Sequence, residues 1–549
     1  MRASLLPIAA TILALAGCRA APPCPSGSCG TAVIGVTAGP HTLFPPLVAT
    51  DIGNQIDGQL FLPLAALGMS MNTTGDSGFI PKLADRWHFE DSVTLVFHID
   101  PRARWHDGIP VTAEDVAYTF DLDTDTLVNA PSRPLLSSIA SVVARDSAHV
   151  VFTFTHVYSE QFYDATHLMM IVPQHLLDTI PRARLQAAAF NRHPVGNGPY
   201  RLVSWKPNES IELAADTDFY LGRPGIARLI WRVTPDPATL VPQLAAGEID
   251  IIPVLLGPDQ IAAAKKTPGI HLVSYPSSVY FYLAFNFRDP ENHARPNALF
   301  ASRGLRQAIA YAIDRNAIIQ SVLGGYGSVP SGPTTPMVWI DNDSLRQLPF
   351  DSARARHMLD SLGWRPGPNG VRVRDGRRLA FTVMVPTSSA ARMRIAVILQ
   401  AQLKALGIDM EVQPLESNTL GARSAAGTFD AMIGGWQIDP VPAAMRQFWT
   451  TTAIGGSNYG AYSDPRFDSL VTAAMAARTK AAARPIWNEA MDVINNDAPA
   501  VWLASLSMVA AVSDRLENVT IRPDDWTATL WTWRIAPGRA TARDRPAGH

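Results

Sequence analysis

The chain has 549 residues, 47% hydrophobic and 17% charged, with 46 basic and 48 acidic side chains and a formal net charge of −2. The hydrophobic share excludes disorder, and the near-neutral balance removes the electrostatic footprint of a nucleic-acid binder. All three cysteines, Cys18, Cys24 and Cys29, precede residue 30, which excludes a thiol-dependent enzyme or a Cys-ligated zinc centre from the body of the chain.

Arg2 and the apolar run from Leu5 to Ala16 read as a secretory signal, because the run falls short of the ~20 apolar residues needed to span a bilayer. No later run approaches that length. The run ends in Leu15-Ala16-Gly17-Cys18, which resembles a bacterial lipobox. The resemblance implies that residues 1–17 are removed and that Cys18 becomes the lipid-bearing first residue, since several acyl chains anchor stably. Arg19 in place of Asp, by resemblance to lipoprotein sorting signals, argues against retention in an inner membrane. Residues 18–30, rich in Ala, Pro, Ser and Gly, read as a tether in which Cys24 and Cys29 are either a small disulfide loop or two free thiols.

In the body, the alternation in Val93–Ile99 predicts a half-buried strand. Asp107-Gly108 signals a turn, and Thr112 is placed to cap a helix that presents Val116 and Phe120 on one face. Asp121, Asp123 and Asp125 lack the Gly and Glu of an EF-hand loop and read as a solvated acidic run. His98 and His106 read as surface or capping histidines. A strand over Tyr280–Asn286 leads to a helix from about Arg303 to Arg315. Further helices are expected over Ala353–Leu362, capped by Asp351 or Ser352, and around Ile395–Leu406, stopped by Gly407. Ile408–Val412 then alternates as a strand. The architecture is mixed α/β without tandem repeats.

Enzyme signatures are missing: no Lys follows a Gly, no His precedes a Glu, and G-x-S-x-G is absent. The chain is therefore expected to be no enzyme and to need no cofactor and no metal.

An ordered set of motifs resembles the solute-binding proteins of ABC importers, in the family of oligopeptide-, dipeptide- and nickel-binding proteins. It comprises Leu83–Trp87, Trp105–Val116, Pro194–Tyr200 (with Asn197 for the usual Thr), Gly247–Asp250, Leu305–Arg315, Leu362–Trp364 and Phe429–Pro440. The resemblance implies an α/β, bilobal periplasmic-binding-protein-like fold (type II, cluster C) with an extra inserted domain. Lobe I would comprise 31–63, 190–275 and 505–538, the insertion 64–189, lobe III 276–504, and 539–549 a disordered tail. Ligand would bind between lobes I and III, which close by hinge motion. The protein would be a lipid-anchored, cell-envelope monomer that captures a peptide or similar small solute and passes it to an ABC permease.

The same resemblance places Asp439, three residues after Trp436, where peptide-binding members receive the α-ammonium. A carboxylate in a closing cleft makes a strong charge-assisted bond to such a group. Trp436, Trp449 and Tyr459 are the accompanying candidate ligand contacts. Ile433 carries no charge for a peptide carboxylate, which leaves Arg423 or Arg446 as substitutes. An oligosaccharide or metal-chelate ligand, a transporter-independent sensor or chaperone, and a surface enzyme on a binding scaffold are the competing readings.

Overall fold

The computed structural model describes residues 28–544 apart from positions 343 and 346. The signal segment, Cys18 and Cys24 lie outside the described residues. Cys29 is disulfide-bonded, so the free-thiol alternative fails for it.

In chain order, β1 (Thr31–Val36) and α1 (Asp51–Leu60) precede an inserted unit. That unit carries β2 (Ala84–Phe89), β3 (Thr94–Ile99), α2 (Ala113–Thr124), β4 (Ile139–Asp146), β5 (His149–Phe154) and α3 (Gln161–His167). Next come β6 (Tyr200–Lys206), β7 (Ser210–Ala215), β8 (Arg228–Val233), β9 (Ile251–Ile252) and the long β10 (Ile270–Phe285). The second lobe is built from α4 (Arg303–Ala312), β11 (Gly327–Ser328), β12 (Ala380–Pro386), α5 (Ala390–Lys404), β13 (Asp409–Leu415), α6 (Ser417–Ala426), β14 (Ala431–Gln437), α7 (Ala444–Trp449) and α8 (Lys480–Asp497). β15 (Ala500–Ser513) returns the chain to the first lobe.

The large sheet runs β13-β12-β14-β10-β15-β9-β1-β8-β7-β6, with β11 paired to β15, while the inserted unit has its own sheet β2-β3-β5-β4. Hydrogen bonding makes the large sheet continuous, but packing divides it. Ile270–Pro276 of β10 pair with Ser513–Ser507 of β15, Tyr280–Ala284 pair with Ser505–Ala500, and the register slips between Pro276 and Tyr280. Residues on one side of that slip bury into two cores, one on each face, and those on the other side into two different cores. Pro276, Ser277, Ser278, Ser505 and Ser507 belong to none of the four, so two lobes meet at a polar crossing of two strands.

The inserted unit has no core of its own. Phe97, Phe152 and Phe162 are continuous with Tyr200, Ile211 and Trp231 of the first lobe. It also reaches the second lobe, where the Ser159 N–H donates to the Met475 carbonyl (2.7 Å) and the Thr73 hydroxyl to the Pro440 carbonyl (3.4 Å).

Two motif segments far apart in sequence meet at His106. Its Nε2 donates to the Gly198 carbonyl (3.0 Å) and its Nδ1 accepts from the Gly196 N–H (3.2 Å). Burial holds its pKa down, so the neutral ring that can do both is favoured, and it is no surface histidine. Gly196 and Gly198 pass so close to α1 that a Cβ on either would overlap the Leu60 or Gln59 carbonyl. Asn197 between them accepts from the Leu62 N–H (2.8 Å) through its side-chain oxygen.

Several expected elements shift. The strand expected from Tyr280 begins ten residues earlier, at Ile270, and the helix expected to reach Arg315 stops at Ala312 because Asp314 caps the next one through the Ala317 N–H. Asp351 rather than Ser352 caps the helix after it. Residues 541–544, expected within a disordered tail, instead fold back: Asp544 pairs with Arg515 (2.6 Å) and accepts from the Thr31 N–H (2.8 Å). A buried arginine needing a carboxylate supplies the reason for order there.

The acidic run also splits. Asp121 is exposed, but Asp123 is buried on α2, and its Oδ1 has no hydrogen-bond partner. Burial pushes its carboxyl up to about 8. The folded chain keeps this proton where the unfolded chain releases it. The group's favourable contribution is therefore complete below about pH 4 and is lost as pH rises through about 8. Asp123→Asn is expected to be more stable than the parent at pH 8, by about 2–4 kcal/mol, with the gap vanishing near pH 4. Urea unfolding at both pH values reads this; an equal gap at both would show that the carboxyl is not held protonated.

Candidate functional site

The second lobe offers a crevice by its topology. β12 connects through α5 to β13 on its outer side, whereas β14, on its inner side, receives the chain from β13 through α6. α5 packs with Phe381, Val383 and Val385 on one face of the sheet, while α6 places Leu420 in the core that Met384 joins on the other. The chain thus reverses direction between parallel neighbours β12 and β14, and ligands of open α/β sheets bind outside the carboxyl ends of strands at such a reversal. β12 and β14 pair at only two positions, Val383–Ala431 and Met384–Met432. Beyond those positions lie Pro386, the N-terminus of α5 and the segment Gly434–Asp439.

Within that segment Gly434 and Gly435 lie against Tyr282 and Phe281, where a Cβ would strike the rings. Trp436 is half-buried and stacks on Phe448 (4.3 Å between centroids), Tyr459 (5.8 Å) and Tyr282 (6.3 Å). Tyr459 is also half-buried. Trp436 and Tyr459 therefore form one aromatic wall.

Trp449 takes a different place. It is 5% exposed, donates its indole N–H to the Tyr280 hydroxyl (3.0 Å) and packs edge-on against Trp502 (4.6 Å). Its polar group and both flanks are occupied by core contacts.

Asp439 is exposed, and no donor among the described residues meets its carboxylate. Its neighbours in the chain are fixed on both sides: the Ile438 N–H donates to the Ser278 carbonyl (3.0 Å), and the Pro440 carbonyl accepts from Thr73. The carboxylate thus stands free on a backbone that is held.

Of the two arginines weighed for a ligand carboxylate, Arg423 is engaged, donating to the Thr428 carbonyl (2.7 Å) and to the Gln413 side chain (2.8 Å). Arg446 is exposed on α7. Sequence reasoning passed over a third, Arg392 in the first turn of α5. Its Nε is buried without a partner, its guanidinium lies 5.8 Å from the Phe281 ring, and burial holds its pKa down. The available signal was Ser389, which caps α5 by accepting from the Arg392 N–H (3.3 Å) directly after a strand. A cation in the first turn of a helix, against its dipole, signals an anion to be met there.

The inserted unit, tied to this loop at Pro440, brings Tyr163 and His167 of α3 within electrostatic reach of Asp439 and of Arg522 and Asp524 from the C-terminal loop, and Asp439 also acts on Asp164. Burial pushes Asp164 up to about 7, and the charge of Asp439 adds to the effect. Burial also holds the His167 pKa down. Among the described residues no group of three or more potential ligands is placed to hold a metal ion.

The sequence profile of the bacterial extracellular solute-binding proteins, family 5, matches residues 78–458. The oligopeptide-binding protein AppA of Bacillus subtilis is 26% identical over 514 residues, covering 92% of each chain. Protein XP55 of Streptomyces lividans is 27% identical, covering 90% of this chain and 87% of its own. Among solved structures, AppA of Bacillus subtilis in complex with a nonapeptide superposes with a TM-score of 0.66 at 25% identity, covering 93% of this chain and all of that one. MppA, a periplasmic murein-tripeptide-binding protein in its unliganded open form, gives 0.77 at 21% identity, covering 93% of this chain and 99% of that one.

Proposed function

Because the chain belongs to the family 5 bacterial extracellular solute-binding proteins, we propose that it captures short peptides between its two lobes and delivers them to an ABC importer. The free carboxylate of Asp439, on a backbone held from both sides, carries this reading. It receives the amino terminus, Trp436 and Tyr459 flank the first side chains, and Arg392 at the head of α5 receives the carboxylate end. A buried guanidinium nitrogen without a partner is costly, and a ligand carboxylate relieves that cost. Trp449 supports the wall from behind.

The division of the cores at the polar crossing supports assigning 31–63, 190–275 and 505–538 to one lobe and 276–504 to the other. Export follows from the signal segment, and Cys18, with the tether to residue 30, supplies the attachment to the membrane surface. Among the described residues no helix is long and apolar enough to cross a membrane. The chain makes and breaks no bond of its ligand.

Calorimetry with one tetrapeptide in three forms tests this. N-acetylation is expected to weaken binding about 100-fold and C-terminal amidation about 10-fold or more, as the loss of one charge-assisted contact each. Native mass spectrometry of the purified protein that retains a sugar or a metal chelate in place of a peptide would replace the reading.

A further inference from the structure

The group of side chains within electrostatic reach of Asp439 holds more acidity than one ammonium needs. Tyr163 is 4% exposed and stacks on His167 (4.6 Å between centroids, 22°). Its hydroxyl meets no hydrogen-bond partner among the described residues, and three carboxylates, Asp439, Asp524 and Asp164, act on it together. The Asp524 side chain is 5% exposed; its Oδ1 takes the Arg522 Nε–H (2.5 Å), while its Oδ2 is buried with no partner at all. Arg522 is fixed by a second bond, from Nη1 to the Leu67 carbonyl (2.7 Å). Asp164 accepts from the Tyr158 hydroxyl (2.8 Å), and Asp525 from Thr527. Arg522 is the guanidinium acting on Asp524, Asp525 and Tyr163, and its bonds leave the buried Asp524 Oδ2 and the Tyr163 hydroxyl without a partner among the described residues.

A buried carboxylate oxygen without a donor costs roughly 1–3 kcal/mol or more, and such a group in a native protein calls for an explanation. Here a second ligand cation supplies it.

We propose that Asp524 and Tyr163 form the far half of a two-sided cation pocket, so that the protein selects peptides whose first residue is lysine or arginine. The α-ammonium goes to Asp439, and the first side chain carries its own charge to the Asp524 Oδ2, with the Tyr163 hydroxyl accepting a further N–H. A neutral first side chain leaves that oxygen without a donor. This specificity rests on the peptide reading above and extends it.

Titration calorimetry of the full chain with Lys-Ala-Ala-Ala and Ala-Ala-Ala-Ala tests the proposal. The lysine peptide is expected to bind about 10-fold or more tightly than the alanine peptide. In Asp524→Asn and, separately, in Tyr163→Phe, that ratio is expected to collapse to about 2-fold, chiefly through a loss of affinity for the lysine peptide. The tyrosine variant leaves the Arg522 pair untouched, so it remains informative if the aspartate variant disturbs its loop. Equal affinity of the two peptides for the parent, or an equal loss of both in the variants, overturns the two-sided pocket and leaves the peptide reading standing. If neither peptide binds the parent, both fall.

Discussion

Replacing Asp439 by asparagine is expected to weaken binding of a free-amine peptide by about 100-fold or more, close to 3 kcal/mol, with the unfolding midpoint unchanged. Asparagine keeps the size and one acceptor of aspartate but removes the charge. The charge contributes little to folding, because the carboxylate is exposed and meets no donor in the protein. The loop is held instead by backbone bonds at Ile438 and Pro440, which the substitution does not touch. An N-acetylated peptide presents no ammonium, so the parent and the variant should bind it equally weakly. Calorimetry on both peptides with both proteins closes a thermodynamic cycle, and a coupling near zero would remove Asp439 from the ligand site.

Arg306→Met is expected to lower stability by about 3–5 kcal/mol, the cost of removing one partner from a buried charged network. Arg306 is 2% exposed on α4. Its Nε and Nη2 donate to the Asp497 carbonyl (3.1 and 2.7 Å), its Nη1 to the Phe300 carbonyl (2.7 Å), and Nη2 also pairs with the Asp497 carboxylate (3.1 Å). The guanidinium therefore satisfies the end of α8 and the loop before α4 with one planar group, 4.3 Å from the Phe287 ring. Methionine fills the volume and leaves several carbonyls without donors. Lysine should recover little, since one ammonium cannot serve two directions. Urea unfolding measures the loss; a change below about 1 kcal/mol would mean that water replaces the guanidinium.

Arg306 also shows what the motifs express. Leu305–Arg315 resembles the family and packs into the second lobe, with Leu305, Ala308, Ile309, Ala312 and Ile313 in its core. Helix stripes and caps were legible where they depend on local physics: Thr112 before α2, Asp351, and the glycine stop at Gly407. The length of β10 was not, since Ile270–Ser278 mixes His, Ser and Pro with apolar residues and owes its strand form to β15 across from it. His106 read as a surface or capping group and Asp123 as solvated because their burial comes from segments remote in sequence. Trp436 and Trp449 are indistinguishable as letters. Only the pairing of β14 with β10 and the packing of α7 put one on the wall and the other inside. Arg392 escaped notice because its significance lies in the reversal of strand order beside it, which no single segment contains.

The two backbone bonds that flank Asp439 have a mechanical consequence. One ties the loop to Ser278, where the strands cross between lobes, and the other ties it to Thr73 of the inserted unit, which shares the first lobe's core. The Ser159–Met475 bond adds a further tie between the inserted unit and the second lobe, and a loop held from both sides near such ties moves little when the bodies on either side turn. Asp439 sits in that loop. On the peptide reading proposed above, the ligand's amino end would dock on a seat that closure displaces little, and Arg392 at the head of α5 would be the group that moves to meet the other end. Recognition would then run in order from one terminus of the peptide to the other.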